Sequence, residues 1–380
     1  MKVSQVSPDE SGIVRWPGTL GTRSSVVTIG VFDGMHRGHQ ALLRRVVDLA
    51  AKAQDRPMAL VFDPSPKLVH SYADSHDMTE PSPDLIRHDP DQIMPLEERL
   101  RIMAQLGLDQ VVVVRYTLAF AAKSYRFFLK QLTEQLAMRT LVLGRDARMG
   151  AGRIGDIKAI ADLADTGLFN LEVVDDQGPG DCTLPDADGL ERRRVRAWSS
   201  SHLRQLILDG DVDAAMDILG RPHMVQGTVV HGEQRGRRLG FPTANLAPDS
   251  QGMMPADGVY AGWLVDLGLP TDPMATQEGR EGRLVQGSPW RMPAAISIGT
   301  KETFLVPGQQ TPRILEANAV RPDWVDLYGH RVRVEFLSRL RGQKRYAGEE
   351  PLKRQLSLDA DRTLELTKAA GRVFSTNRRP

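Results

Sequence analysis

The sequence predicts an α/β protein of two domains: a helix-covered parallel sheet in the first half, and an antiparallel β-barrel followed by a terminal helix in the second. Two observations lead to this fold class. Up to about residue 200, short and continuously apolar segments alternate with segments of helical periodicity. After about residue 222, short β-rich segments follow one another between Gly and Pro residues. A chain of 380 residues is also long for one domain and suits two.

In the first half, continuous apolar runs predict strands, and apolar residues that recur every three to four positions predict helices. The expected strands are residues 26–31, 58–62, 111–114, 140–143 and 171–174. The expected helices are residues 39–54, 96–106, 124–138 and 156–165. Because such sheets bind ligands beyond the carboxyl ends of their strands, we expect a site at residues 32–37.

In the second half, the alternation between strands and helices stops and a barrel is favoured. The expected strands are residues 225–230, 258–265, 294–298, 313–319 and 331–336, and a helix is expected at 349–370. A helix at 203–219 and a Gly-Arg-Pro link after it separate the halves. We therefore expect domains at 1–200 and 222–380 with a linking segment at 201–221. The stretches 71–92, 175–196 and 270–290, rich in Pro, Gly, Asp and Ser, are expected to be surface insertions.

The overall composition excludes several classes of protein. A net charge of +1 argues against a general binder of nucleic acid or of membrane surfaces. No apolar run approaches the roughly 18 residues that span a bilayer, and residues 1–12 lack the apolar core of a signal peptide. The single cysteine, Cys182, has no intramolecular partner for a disulfide, as is usual in a reducing cytosol. We expect a cytoplasmic protein, with self-association left open.

Two histidines stand three residues apart where the first predicted strand gives way to the first predicted helix. Residues 30–39 read GVFDGMHRGH, so that His36 and His39 share one face of the helix start. Backbone N–H groups and the helix dipole attract anions there, and imidazoles can donate to phosphate oxygens. Gly34 and Gly38 let a large ligand approach the backbone. The pattern favours a nucleotide-phosphate site. A surface pair and a zinc site, which would need further ligands, are the alternatives.

A second polar cluster lies at the start of the predicted linking helix, where the chain reads SSSHLR from Ser199 to Arg204. Hydroxyl groups and a guanidinium there can hold a triphosphate and stabilise a departing pyrophosphate. A serine-rich helix cap is the alternative interpretation, because Ser is among the preferred N-cap residues.

The second half contains a Gly/Arg-rich stretch, GEQRGRRLGFPTANL at residues 232–246, that suits a phosphate-cradling loop. Within it, the hydroxyl of Thr243 and the amide oxygen of Asn245 are hard ligands suited to Mg²⁺ bound together with ATP phosphates. The candidate residues for ATP and the metal are Gly236, Gly240, Pro242, Thr243 and Asn245. A Gly/Arg turn that enters a strand is the alternative.

The first half resembles the N-terminal module of prokaryotic bifunctional riboflavin kinase/FAD synthetases. The resemblance rests on GxFDGxHxGH at 30–39, GRD at 144–146, Gly155–Asp156 and the Ser/Arg cluster. It implies a Rossmann-like nucleotidyltransferase domain that transfers AMP from ATP to FMN and yields FAD and pyrophosphate. It also implies that His36 and His39 contact the ATP phosphates during this reaction. The other ATP-binding residues that it implies are Gly30, Phe32, Asp33, Gly34, Asp146, Ser200, Ser201 and Arg204.

The second half resembles the riboflavin kinase module of the same family, a six-stranded antiparallel barrel. The matching phrases are GRP at 220–222, the string at 232–246, DGVY at 257–260, SIGT at 297–300 and DLYG at 326–329. The resemblance implies ATP- and Mg²⁺-dependent phosphorylation of riboflavin to FMN. Glu316 matches the family's base for the ribityl hydroxyl, although a lone Glu on a strand is more often an exposed surface residue. The implied flavin contacts are Thr303, Phe304 and Arg341.

Some positions depart from the family pattern, and most lie near the expected flavin sites. Ala147 and Met149 replace two aromatic residues, and Lys301–Glu302 replaces an Asn-Pro pair. The leading hypothesis is still a bifunctional enzyme that acts on riboflavin, FMN and ATP. The rival hypotheses are a riboflavin kinase with a weakened or inactive adenylyltransferase domain and a non-catalytic flavin-binding regulator.

Overall fold

The computed structural model divides the chain into two compact units, residues 1–89 with 95–200, and residues 90–94 with 201–380. No helix among the residues it describes is long and apolar enough to cross a membrane. Side chains are not described for 183–185, 192–194, 235, 237, 277–278 and 372–376. The residues that the structure describes are 1–17, 23–175, 178, 183–185, 192–194, 198–232, 235–271, 277–300, 313–321, 323 and 325–376.

The first unit is built on six parallel strands. They are β1 (Lys2–Val6), β2 (Ser25–Gly30), β3 (Arg56–Phe62), β4 (Gln110–Val114), β5 (Met138–Gly144) and β6 (Asn170–Val174). Their order across the sheet is β1-β4-β3-β2-β5-β6, and every neighbouring pair is parallel. All five residues of β4 are buried, which is the pattern of a strand covered on both faces. This confirms the predicted helix-covered parallel sheet.

Helices connect these strands. They are α1 (Arg37–Ala53), α2 (Pro66–Ser75), α3 (Pro83–Arg87), α4 (Leu96–Gln105), α5 (Leu118–Ala121), α6 (Tyr125–Gln135) and α7 (Ile157–Ala164), with a 3₁₀ turn at Ala151–Arg153. Helix α1 buries Leu43, Val46 and Ala50, which the helical spacing places on one face. A two-stranded antiparallel ribbon, β7 (Thr183–Pro185) and β8 (Arg192–Arg194), lies within the predicted insertion at 175–196.

The second unit contains a closed antiparallel barrel in the order β10-β13-β12-β11-β14-β9. Its strands are β9 (His223–Val230), β10 (Ala244–Leu246), β11 (Gly258–Asp266), β12 (Arg291–Thr300), β13 (Arg313–Ala319) and β14 (Arg331–Arg341). Alternate residues of β12 and β13 fill the barrel with Ile296, Ile298, Leu315 and Ala317, all fully buried. The helices are α8 (Ser200–Asp209), α9 (Val212–Leu219), α10 (Arg235–Arg238), α11 (Gln277–Leu284) and α12 (Glu349–Thr376). The predicted six-stranded barrel with its terminal helix is confirmed.

Several local predictions were wrong. The single linking helix at 203–219 is two helices, because Gly210 has φ 77° and the carboxylate of Asp211 caps α9 by accepting the N–H of Ala214. The helix predicted at 124–138 ends at Gln135, since Ala137 is left-handed (φ 50°) and Met138 begins β5. Helices α2 and α5 were not predicted, nor were α3 and α11, which lie in the stretches 71–92 and 270–290; that these stretches are surface insertions stays a prediction.

Besides the ribbon strands β7 and β8, one strand of the parallel sheet and one of the barrel were missed. Strand β1 lies at the sheet edge, so that most of its residues are exposed and it lacks a continuous apolar run. Strand β10 has three residues, too few for a recognisable alternation, yet it carries Asn245 and completes the barrel. The predicted domain limits at 200 and 222 and the separate linker at 201–221 stay predictions; residues 201–221 group with the second unit.

Candidate active sites

The strand order of the first unit reverses at the β2/β5 pair, since β3 and β4 lie on one side of β2 and β6 lies beyond β5. In an open parallel sheet such a reversal leaves a crevice beyond the carboxyl ends of the two strands. The chain after β2 carries Phe32 to His36, and the chain after β5 carries Asp146, which is exposed. The sheet topology therefore brings the two predicted ATP-binding segments to the same edge.

The turn after β2 has an unusual backbone. Phe32 (φ 54°) and Met35 (φ 45°) are left-handed although neither is glycine, and both are almost fully buried. Gly34 has φ 80°, which only glycine adopts without strain. Such non-glycine conformations cost about 1–3 kcal/mol each and persist only where surrounding contacts enforce them. The side-chain amide of Gln40 supplies one such contact by donating to the carbonyl of Met35 at 2.9 Å.

His36 is the N-cap of α1, and its Nδ1 accepts the backbone N–H of His39 at 3.3 Å. This hydrogen bond requires a ring without a proton on Nδ1, which leaves the proton of the neutral ring on Nε2 as a donor. The rings of His36 and His39 stack with centroids 3.7 Å apart, and Phe32 packs edge-on against His39 at 5.3 Å. The two histidine rings therefore form a stacked pair at the positive end of a 17-residue helix.

The segment before α8 lies against this turn within the first unit. The hydroxyl of Ser200 donates to the carbonyl of Asp33 at 2.8 Å. The carbonyl of Trp198 lies 3.5 Å from the position that a Cβ on Gly38 would occupy, and the guanidinium of Arg37 lies 5.9 Å from the Trp198 ring. The structure thus brings Ser200 to the histidine turn. Ser201, which is exposed, and Arg204, whose Nε donates to the carbonyl of Asp91 at 2.8 Å, belong to the second unit.

In the second unit, the barrel register aligns three polar residues on neighbouring strands. Asn245 of β10 is directly opposite Glu316 of β13, and Glu316 is directly opposite Ser297 of β12. Opposed residues of antiparallel strands point to the same face, with Cβ atoms about 4.5–5.5 Å apart. Because Leu315 and Ala317 fill the barrel, this polar row faces outward, and Glu316 is half-buried.

Thr243 adjoins this row immediately before β10. The side-chain nitrogen of Asn245 lies 3.3 Å from the Thr243 hydroxyl, and Asn245 is only 7% exposed. Asn318, two residues after Glu316 on the same face of β13, donates its side-chain N–H to the carbonyl of Pro242 at 2.7 Å. Gly232 approaches so closely that a Cβ there would lie 2.6 Å from three atoms of the Asn245 side chain. The hydroxyl and the amide are therefore held in place from several sides.

A cavity of about 340 Å³ lies beside this cluster in the second unit. Its lining includes Gly240, Pro242, Thr243, Asn318 and Tyr328, and it reaches Ala360 of α12. A volume of this size is at the lower end of the range for small-molecule sites. Of these lining residues, Tyr328 belongs to the DLYG phrase at 326–329, whereas Asn318 was not predicted from the sequence.

The Gly/Arg stretch before Thr243 folds into the short helix α10 and a tight turn. The carbonyl of Gly236 accepts the N–H groups of both Leu239 and Phe241, at 3.1 and 2.8 Å, and Gly240 has φ 85°. A Cβ on Gly236 would lie 2.4 Å from the carbonyl oxygen of Phe241, so that glycine is required there. These contacts fix the backbone that leads into Pro242 and Thr243.

The expected flavin contacts have separate outcomes. Thr303 and Phe304 lie outside the described residues. Arg341, at the end of β14, forms an ion pair with Asp359 of α12 at 2.6 Å, and the side chain of Asp359 is 5% exposed. Arg341 thus holds the terminal helix to the barrel, and its contact with a flavin stays a prediction.

The two units define the class of a two-site transferase. The first is an α/β sheet with a crevice typical of nucleotide binding. The second is a barrel that presents a carboxylate beside hydroxyl and amide groups. Comparison with protein families assigns a description to each unit: residues 20–184 match the FAD synthetase model and residues 219–367 match the riboflavin kinase model. The bifunctional riboflavin kinase/FMN adenylyltransferase of Escherichia coli K12 is 31% identical over 335 residues, which are 88% of this chain and 90% of the relative. The protein of the same name from Bacillus subtilis is 28% identical over the same shares of both chains.

The chain belongs to the bifunctional riboflavin kinase/FMN adenylyltransferase family. Its fold is also similar to a crystal structure described as a macrolide-efflux protein from Streptococcus pneumoniae, with a TM-score of 0.67 and 25% identity over 94% of this chain and 98% of the other. Both families of the matched models are ATP-using enzymes, as the sequence analysis predicted.

Proposed function

We propose that the second unit transfers the γ-phosphoryl group of ATP to riboflavin, and that the first unit then transfers AMP from a second ATP to the FMN so formed. The observation that carries the kinase assignment is the register that sets Glu316 opposite Asn245. A carboxylate is thereby placed beside a hydroxyl and an amide on one outer face of the barrel. A flavin-binding protein without turnover has no need of that arrangement.

In the kinase reaction, the carboxylate of Glu316 accepts the proton of the terminal ribityl hydroxyl. The hydroxyl oxygen attacks the γ-phosphorus, and ADP leaves. Catalysis of phosphoryl transfer depends mainly on positioning and on electrostatic stabilisation. Asn318 contributes to the positioning because it holds the carbonyl of Pro242, the residue before Thr243, at 2.7 Å.

The oxygen donors of Thr243 and Asn245 suit Mg²⁺, which takes hard oxygen ligands and completes its shell with phosphates and water. Because Mg²⁺ is usually bound by few protein groups together with substrate phosphates, a cation at this position would share its coordination shell with ATP. The side-chain nitrogen of Asn245 faces the Thr243 hydroxyl. To bind a cation there, the side-chain amide must rotate so that its oxygen takes the place of its nitrogen. This exchange needs no additional space. When bound, the cation would neutralise charge on the transferred phosphate.

In the adenylyl transfer, a phosphate oxygen of FMN attacks the α-phosphorus of ATP and pyrophosphate leaves. The Nε2–H of His36 and the first backbone N–H groups of α1, those of Arg37 and Gly38, donate to the phosphate oxygens as charge develops on them. His39 stacks on His36 and, with Phe32, fixes the ring orientation. Ser200 holds the turn through the carbonyl of Asp33, at 2.8 Å. Gly30, Asp146, Ser201 and Arg204 are proposed as further contacts to ATP.

Purified protein with riboflavin, ATP and MgCl₂ tests this proposal, with products separated by chromatography. We expect FMN first and then FAD. Glu316→Gln should form no FMN from riboflavin yet convert supplied FMN to FAD, and His36→Ala combined with His39→Ala should do the reverse. FMN without FAD from the unchanged protein would identify a kinase with an inactive first unit. No product from folded protein would favour a flavin-binding regulator.

A further inference from the structure

Arg99 is a buried cation that the mechanism above does not use. It lies on α4 of the first unit, and its side chain is 1% exposed. A buried guanidinium must be paired and hydrogen-bonded to offset its loss of hydration. Replacing a buried ion pair by apolar residues is often neutral or stabilising, so that stability alone is a weak reason for Arg99.

The two partners of Arg99 are the residues directly after β2 and β3. Its Nη1 donates to the carbonyl of Val31 at 2.9 Å, and its Nη2 donates to the carboxylate of Asp63 at 2.6 Å. The backbone N–H of Asp63 in turn donates to the carbonyl of Val114, at the end of β4. One planar guanidinium therefore fixes the spacing between the ends of two neighbouring strands, at the edge where the crevice lies.

We propose that Arg99 is a positioning residue for adenylyl transfer: it holds the turn from Val31 to His36 in the conformation that aims His36 at the phosphates. This inference rests on the proposed function of the first unit. The carbonyl that Arg99 holds belongs to Val31, the first residue of this turn, and the turn contains the left-handed residues Phe32 and Met35. Such a backbone persists only under external constraint. A displacement of 1 Å at a catalytic group costs about 100-fold in rate.

The Nε of Arg99 supports this reading. It is buried and has no hydrogen-bond partner among the described residues, so that the side chain carries a desolvation cost while using only its two Nη groups. A Lys at this position retains the charge but has no fork that reaches Val31 and Asp63 in the same plane. The Lys variant thus separates the geometry of Arg99 from its charge.

The test compares Arg99→Lys and Arg99→Met with Arg45→Met. The control breaks another Arg–carboxylate pair of the first unit, from α1 to Glu172 of β6 at 2.6 Å. FAD formation from supplied FMN is measured at a temperature well below the thermal unfolding midpoint of each variant. Only variants whose near-UV circular dichroism shows native packing are compared. We expect kcat to fall about 100-fold in Arg99→Met and about 10-fold in Arg99→Lys, with a smaller change in KM for ATP. Riboflavin kinase activity of the same samples and FAD formation by Arg45→Met should match the unchanged protein.

A double-mutant cycle adds Asp63→Asn. If Arg99 acts through Asp63, the combined loss in kcat for Arg99→Met with Asp63→Asn is smaller than the product of the two single losses. A lowered unfolding midpoint with unchanged kcat and KM for FAD formation would reduce Arg99 to a structural ion pair and overturn the proposal. Should Arg99→Met fail to fold, Arg99→Lys decides by the same criterion. If the unchanged protein forms no FAD, the proposed function of the first unit is refuted. If it forms FAD and all variants are equally active, only the role given to Arg99 is refuted.

Discussion

Replacement of Gly232 by alanine should impair the kinase selectively. A Cβ at this position would lie 2.6 Å from Cγ, Oδ1 and Nδ2 of Asn245, whereas ordinary contacts of a Cβ begin at 3.4 Å. The difference, 3.4 − 2.6, requires Asn245 to retreat by about 0.8 Å. Asn245 is 7% exposed and stands in register with Val230 and Glu316, so that it has little room to move along its strand.

The size of the effect follows from that displacement. Misplacing a catalytic or ligating group by about 1 Å costs on the order of 100-fold in rate, so we expect kcat/KM for FMN formation to fall about 10- to 100-fold. Since the proposed role of Asn245 is to bind the cation with ATP, the concentration of MgCl₂ needed for half-maximal rate should rise. Gly232 does not have a left-handed φ, so that alanine introduces no backbone strain there.

The assay measures FMN formed from riboflavin as MgCl₂ is varied, and FAD formed from supplied FMN. Gly282→Ala is the matched control, because a Cβ on Gly282 meets no atom within 4 Å. It should leave both rates unchanged, and Gly232→Ala should leave FAD formation from FMN unchanged. Full kinase activity of Gly232→Ala at limiting MgCl₂ would refute the role given to Asn245.

Three further changes test other contacts. Ser200→Ala removes a hydrogen bond to the histidine turn and should lower FAD formation about 10-fold without affecting the kinase, as measured in separate assays. Burial lowers the pKa of His223 to about 4 from 6.5, so that only the unfolded state gains a proton between those pH values. Relative to His223→Gln, the free energy of unfolding should therefore fall with decreasing pH by about 1.4 kcal/mol per unit, to a total of about 3 kcal/mol near pH 4, measured with urea. Arg341→Met leaves the buried carboxylate of Asp359 without its cationic partner, with the side-chain N–H of Gln355 still donating to it, and should destabilise the second unit by about 3 kcal/mol in the same assay. Unchanged stability with weaker riboflavin binding would instead favour a flavin contact.

The sequence predicted the parallel sheet and most of the barrel because their signals are local. Continuous apolar runs such as β4 and alternating runs such as β13 can be recognised without knowledge of the fold. The short β10 could not be recognised in this way, because its pairing with β9 and β13 depends on closure of the barrel. The candidate residues His36, Thr243 and Glu316 were found through motifs, whereas Asn318 and Arg99 belong to no motif. Their roles depend on contacts across 76 and 68 residues of sequence, which no local pattern encodes.

The two sites are built by different means, and this difference determines which substitutions each tolerates. Glu316, Asn245 and Ser297 come from three neighbouring strands of a closed barrel, whose backbone ladder and buried inner face fix their register. The histidine turn is a loop with left-handed residues, and its geometry depends on single side-chain contacts from Arg99, Gln40 and Ser200. Loss of one supporting contact should therefore affect adenylyl transfer more than loss of a comparable contact affects the kinase. Ala147 and Met149, which stand where the family pattern has aromatic residues, pack against the core of the first unit after β5. Because the histidine turn of the same unit is the more sensitive site, we expect FAD formation to respond first to further substitutions in this chain.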